Sequence, residues 1–356
     1  MVSTMFENLP NTFKTFHDSV LFNSVQALKL NRHFDNFDAH RFNYDGQDHS
    51  KEFNTGLHAF YFDWFFKNSI SLFTAYSLLN NESSKRLFLH LIAYRLGGHL
   101  SVKIPVAFAG KEIELAEYKL FEKHTPSLLT ATGMFGKLNH FDFEYKNRRY
   151  VADTLGFESY LFRGQYFYSQ DGIIVEPEMG DYVIDGGACT GDTALVFSNA
   201  VGENGHVYSF DPVKEHLEIL AYNIAQFPNK NVEAMPFGLS NRDVIAEPII
   251  LGGYRPGFNS GSQQVPLRSI DSLVNSGQIE KVDFIKLDVE GAEMDTLRGA
   301  QQSIERFKPK LAISLYHKPD DLFEIILHIK EKFPFYSCYV DHYTIHSEET
   351  VLYCVT

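Results

Sequence analysis

Cysteine is scarce. The 356 residues contain three (Cys189, Cys338, Cys354), none in a C-x-x-C pair. That argues against both a disulfide framework and a cysteine-built structural zinc site. Cys338 and Cys354 fall on the last two expected strands and read as buried free thiols. Basic residues are also in deficit, 32 Lys plus Arg against 45 Asp plus Glu, for a net charge of −13. Such a chain repels a duplex or a phosphate-rich surface overall, so nucleic acid is not an expected partner. No apolar run approaches the roughly 18 residues a membrane span needs. The richest, residues 87–94, is interrupted by His90. Residues 1–10 carry an acid and an Asn where a secretory signal would have basic residues and then an apolar block. The expectation is a cytoplasmic protein with no membrane span. Internal repeats and low-complexity linkers are missing as well.

What is present is material for a core. Hydrophobic residues make up 44% and charged residues 22% of the chain, which excludes bulk disorder, and the length suggests two domains. Residues 1–150 are rich in Phe, Asn and His without a clear β/α alternation, and are expected to form a mainly helical or mixed N-terminal domain. Ser83 to Leu96 has helical spacing, with Ser83 or Ser84 as N-cap and Gly97-Gly98 as the stop. The aromatic run Phe60 to Phe66 reads as core or an inter-domain contact. The 15 histidines are scattered, and the spaced pair His342/His346 sits in a strand-and-turn region, so no metal site is assigned.

Beyond about residue 170, short β-branched and aromatic runs alternate with helical patterns: 182–185 then 193–200, 207–210 then 213–227, 282–287 then 293–307, 311–315 then 320–333. This is the pattern of βαβ units, hence of a parallel sheet covered on both faces, and it places a second domain over 151–356. Residues 335–343 and 350–355 read as strands with no helix between them, so one of the two must run antiparallel at the sheet edge.

The segment Asp185-Gly186-Gly187-Ala188-Cys189-Thr190-Gly191-Asp192-Thr193 follows an apolar strand and opens a helix. Glycine lets a ligand approach the backbone there. The spacing departs from the dinucleotide fingerprint G-x-G-x-x-G, offering D-x-G-x-x-x-G instead. An acid at the strand end repels a pyrophosphate but suits a cationic amino-acid tail such as that of S-adenosylmethionine, whose ammonium Asp185 could hold directly or through water. Asp211-Pro212, at the end of the next strand, is placed to accept ribose hydroxyls, or alternatively to cap a helix. Backbone at Gly238-Leu239 could reach an adenine edge. Residues 244–265 read as a β-hairpin or glycine-rich flap.

A second acidic cluster, Lys286-Leu287-Asp288-Val289-Glu290, closes a buried-type strand. Alternation puts Lys286, Asp288 and Glu290 on one strand face, at the rim where open α/β sheets bind ligands. An ion pair of Lys286 with one of those acids is the structural alternative. His317 ends the following strand and is a candidate proton acceptor.

Taken together, D-G-G-A-C-T-G-D-T, F-D-P, S-I-D-S-L, F-I-K-L-D-V-E-G-A-E and L-Y-H-K-P-D-D-L resemble the FkbM family of S-adenosylmethionine-dependent methyltransferases over about residues 160–356. The lead-in at Gly164 to Phe167 and the segment 76–96 are similar to features of bacterial members. The resemblance implies a class I, Rossmann-like seven-stranded sheet with a reversed terminal hairpin. It also implies O-methylation of a sugar, glycan or secondary-metabolite hydroxyl.

Carried onto this chain, the resemblance implies Asp185, Gly186, Gly187, Ala188, Gly191 and Thr193 around the methionine tail and Asp211 with Pro212 at the ribose. Gly238 and Leu239 would stand at the adenine, and Asp288, Glu290 and Tyr166 beside the sulfonium and acceptor. Catalytic roles would fall to His317, Asp288 and Lys286. Asp211 departs from the Glu more usual in the family and is shorter by one methylene, so its ribose contact is looser or water-mediated. Rival readings are a methyltransferase-like scaffold, a metal-assisted enzyme using Asp288, Glu290 and Glu293, and an NAD-dependent oxidoreductase. The missing third glycine speaks against the last. Homo-oligomerisation stays open.

Overall fold

The structure is a computed structural model that describes residues 5–30, 33–42, 47–130, 137–250 and 262–356. In chain order its elements begin α1 (Phe13–Leu30), α2 (Ala39–Phe42), α3 (Thr55–Leu78), α4 (Glu82–Gly97), α5 (Glu112–Phe121), β1 (His124–Thr130), β2 (Lys137–Tyr145) and β3 (Arg148–Thr154). After a turn of π-helix at Glu158–Phe162 come β4 (Tyr168–Gln170), β5 (Ile173–Val175), β6 (Tyr182–Gly186), α6 (Asp192–Val201), β7 (His206–Phe210), α7 (Lys214–Gln226) and β8 (Val232–Met235). Then follow β9 (Gly238–Leu239), β10 (Val244–Ile250), β11 (Ser262–Arg268), α8 (Ile270–Asn275), β12 (Phe284–Leu287), α9 (Glu293–Arg298), α10 (Gln301–Phe307), β13 (Lys310–Ser314), α11 (Asp321–Lys332), β14 (Ser337–His342) and β15 (Thr350–Val355). No described helix is long and apolar enough to cross a membrane.

The main sheet has seven strands in the order β14-β15-β13-β12-β6-β7-β8. The run from β13 to β8 is parallel throughout. This is the mixed α/β architecture the alternating pattern calls for. Two compact units divide the chain: residues 1–109 with 315–354, and 110–314 with 355–356. Residue 150, the boundary expected from texture, lies inside β3.

In the first unit, Phe16, Phe65 and Tyr76 pack ring to ring and are buried, as are Phe88 and Leu91. The aromatic run divides by helical geometry: Trp64 and Phe65 are buried, whereas Phe60 and Phe66 are more than half exposed. Trp64 Nε1 donates to Asp320 Oδ1 at 2.6 Å. The expected 83–96 helix is α4, but Asn81 caps it, accepting from the Ser84 amide. Ser84 is engaged elsewhere, for its hydroxyl accepts from the Val340 amide at 2.8 Å. With Asn80, which bonds both the amide and the carbonyl of Cys338, it satisfies β14, the terminal strand in the sheet order. This is one way an edge strand is kept from pairing with other chains.

Side-chain contacts between β14 and β15 step forward on one strand as they step back on the other. His342 Nδ1 meets Thr350 Oγ1 at 2.9 Å, and Cys338 Sγ lies 3.7 Å from Cys354 Sγ. Those two buried cysteines are free thiols.

The second unit holds a three-stranded antiparallel sheet, β1-β2-β3, that lacked a sequence signal. Residues 293–307 do not make one helix. They break at Gly299, where a Cβ would fall 2.0 Å from the Ser240 carbonyl oxygen, so the chain bends to let that backbone past. The 244–265 segment is an antiparallel hairpin, β10 with β11, and its four glycines lie outside the described residues.

Candidate functional site

The loop after β6 is built on glycines that let it pack closely on its neighbours. Gly187 has φ +82°, and a Cβ on it would fall 1.8 Å from the Asp288 carbonyl oxygen. Gly191 has φ +91°, and a Cβ there would meet Leu220 Cδ1 at 2.7 Å. Only glycine combines that conformation with that closeness. The amides of Gly187 and Ala188 both donate to the Phe210 carbonyl, tying the loop to the end of β7.

Lys286 sits beneath this loop, 1% exposed. Its Nζ lies 3.1 Å from Asp185 Oδ1 and donates to the carbonyls of Gly186 at 3.0 Å and Gly187 at 2.9 Å. Burial alone would lower the lysine pKa, but the charges of Asp185 and then Asp288 carry it above the ordinary value. The three protons of the ammonium are thus directed at Asp185 and two loop carbonyls, so that Lys286 holds the loop.

Asp185 is fully buried and also accepts from Thr193 Oγ1 at 3.0 and 3.1 Å. The partner of Lys286 is Asp185 and not, as the spacing suggested, Asp288 or Glu290.

The shared strand face expected for Lys286, Asp288 and Glu290 ends at Leu287, where β12 ends. Asp288 and Glu290 lie in the turn beyond. Glu290 has φ +54°, is exposed, and precedes Gly291 at φ +93°. Asp288 Oδ2 accepts from the Tyr166 hydroxyl at 2.7 Å, and the Tyr166 ring stands 5.2 Å from the Lys286 ammonium. Tyr166 and Cys189 also have positive φ, at 73° and 51°. Non-glycine residues held there store strain, and such strain gathers at functional sites.

Asp211 is placed by strand register: Gly186 pairs with Phe210, so the acid follows directly. It is 5% exposed and accepts from the amides of Cys189 at 3.0 Å and Val213 at 2.9 Å, and it lies 3.1 Å from His216 Nδ1. It braces both the glycine loop and the start of α7. Pro212 and Leu239 lie close by, with Pro212 Cβ 3.6 Å from the position a Gly238 Cβ would take and Leu239 Cδ1 3.0 Å from that of Gly186. A cavity of about 430 Å³ opens beside them, lined by Leu239, Ser240, Arg242, Glu247, Ala292 and Asp295 among others. His317 follows β13, is 7% exposed, and belongs to the first unit.

Several supports carried no sequence signal because they act across long separations. Thr154 Oγ1 donates to Asp192 Oδ2 and contacts Thr190 Oγ1, both at 2.9 Å. Asn223 Nδ2 donates to the carbonyls of Asp153 and Thr190. The end of β3 thereby props the glycine loop.

Residues 185–335 match the model of the methyltransferase FkbM domain, beginning at the acid that pairs with Lys286. Over this segment the chain is similar to the FkbM methyltransferase domain. Among curated proteins the chain resembles the hexuronic acid methyltransferase AglP of Haloferax volcanii, 29% identical over 137 residues, or 37% of this chain and 55% of that one. Among solved structures it resembles the methyltransferase FkbM of Methylobacillus flagellatus KT, with a TM-score of 0.54 and 18% identity, over 82% of this chain and 60% of that one. The chain thus spans little more than half the length of either, and the structural likeness bears on the fold alone.

Proposed function

We propose that the FkbM domain binds S-adenosylmethionine at the carboxyl ends of β6, β7 and β12 and transfers its methyl group to a hydroxyl oxygen of a sugar or other secondary metabolite. One observation carries this reading: a left-handed glycine turn at Gly187, clamped from below by Lys286 and packed on Asp288, in register with a buried acid at the end of the neighbouring strand. A glycine turn held against Asp288 at the end of a parallel strand suits the close approach of the amino-acid tail of such a cofactor, and the acid suits a ribose.

In this reading Lys286 and Asp185 are positioning residues that fix the loop from Gly186 through Gly191. Asp211 accepts a ribose hydroxyl with lone-pair capacity left by its backbone contacts. Pro212, Gly238 and Leu239 flank the base. Tyr166 orients Asp288, which with Glu290 faces the acceptor, and His317 takes the hydroxyl proton. The cofactor supplies a methyl group on a sulfonium, which leaves as neutral sulfur. Rate then comes from alignment of the acceptor oxygen, with a base contributing about 10²- to 10⁴-fold. The similarity to a hexuronic acid methyltransferase favours an acidic sugar as acceptor.

The reading is tested by incubating the chain with methyl-labelled S-adenosylmethionine and uronic acid glycosides, then locating the label. A methyl ether is expected, with His317→Ala lowering kcat and leaving cofactor affinity unchanged. Label on nitrogen or carbon, or full turnover by His317→Ala, would contradict it.

A further inference from the structure

The first unit contains a buried cation without a counter-ion. Arg95, in the last turn of α4, is 5% exposed. Among the described residues its guanidinium meets one acceptor, the Leu91 carbonyl one turn back, at 3.2 Å, and no carboxylate lies within ion-pair distance. Glu348, which reaches the adjoining Tyr94 electrostatically, is committed elsewhere, pairing with Arg41. The helix C-terminus favours a cation, but it leaves most of the guanidinium's N–H donors unspent. A buried charge is ordinarily paired, and an arginine fork matches a planar oxyanion bidentately.

The surroundings suit such a guest. Half-buried Tyr61 and Tyr94 lie within the electrostatic reach of Arg95. His342, fully buried, keeps Nε2 without a hydrogen-bond partner while Nδ1 meets Thr350. Burial first, then the His346 charge, hold His342 down to a pKa of about 3, so it is a neutral imidazole and Arg95 is the local positive charge.

We propose that Arg95 forms the floor of an oxyanion-binding site in the first unit, taking the carboxylate or phosphate group of a small ligand in bidentate fashion, with the tyrosine hydroxyls beside it. The proposal is independent of the methyl-donor reading.

Calorimetric titration of the full chain with D-glucuronate, inorganic phosphate and D-glucose tests it. Heat is expected with glucuronate, phosphate or both, and none with glucose; a response to glucuronate alone assigns a carboxylate site, to phosphate alone a phosphate site. Arg95→Met should weaken oxyanion binding roughly tenfold or more while retaining S-adenosylhomocysteine affinity and a melting temperature at or above that of the parent. Arg95→Lys keeps the charge and loses the fork, and should also bind roughly tenfold more weakly, which decides the matter if the methionine variant does not fold. Silence toward both oxyanions at millimolar levels, or unchanged oxyanion affinity in Arg95→Lys or in a folded Arg95→Met, would overturn it.

Discussion

Lys286 and Asp185 form an ion pair of 3.1 Å with neither side chain more than 1% exposed, and the same ammonium holds two loop carbonyls. Removing one partner strands the other charge in the interior, at about 3–5 kcal/mol, whereas removing both costs much less than the sum. Lys286→Met and Asp185→Asn are each expected to be strongly destabilising in urea titrations, and the double variant to recover much of the loss. Strictly additive costs would show that the two do not act as a pair.

Gly187 and Gly172 share a left-handed conformation, φ +82° and +78°, but only Gly187 is crowded, since a Cβ on Gly172 would meet nothing within 4 Å. Gly172→Ala should cost about 1–2 kcal/mol, the conformational term alone. Gly187→Ala should cost more than about 3 kcal/mol, because Asp288 must also move, and it should abolish cofactor binding. Equal losses of stability in chemical denaturation would remove the argument that the loop must sit against Asp288.

Asp192 opens α6 with its carboxyl pushed up from 3.8 to about 6 by loss of water, against the opposing hydrogen bonds of the Thr193 amide and the Thr154 hydroxyl. A carboxyl raised on folding binds its proton more tightly in the folded chain. Its contribution is therefore present below about pH 4 and is lost as pH rises through 6. Asp192→Asn removes that dependence, so the parent should lose stability relative to the variant between about pH 4 and about pH 7. Parallel urea midpoints across that range would contradict the assignment.

The parallel strands and the glycine loop were legible because each is written in a short window: an apolar run, then Asp185-Gly186-Gly187, then helical spacing. The partner of Lys286 was not, because strand alternation assumes the strand continues. β12 stops at Leu287, and the ammonium turns toward the neighbouring strand instead. Helix α3 was masked by an aromatic density that conceals its two faces, and β1–β3 had no turn signal strong enough to separate them. The Thr154 and Asn223 props join residues 33 to 70 positions apart, a distance at which one sequence carries no pairing information.

The most direct measurement is a calorimetric titration of the chain with S-adenosylhomocysteine, run beside NADH and repeated on Asp211→Ala. One-to-one binding of the nucleoside, no heat from NADH, and a loss of roughly tenfold or more in folded Asp211→Ala are the results expected. An empty site at millimolar nucleoside, or saturable binding of NADH in its place, would contradict the account.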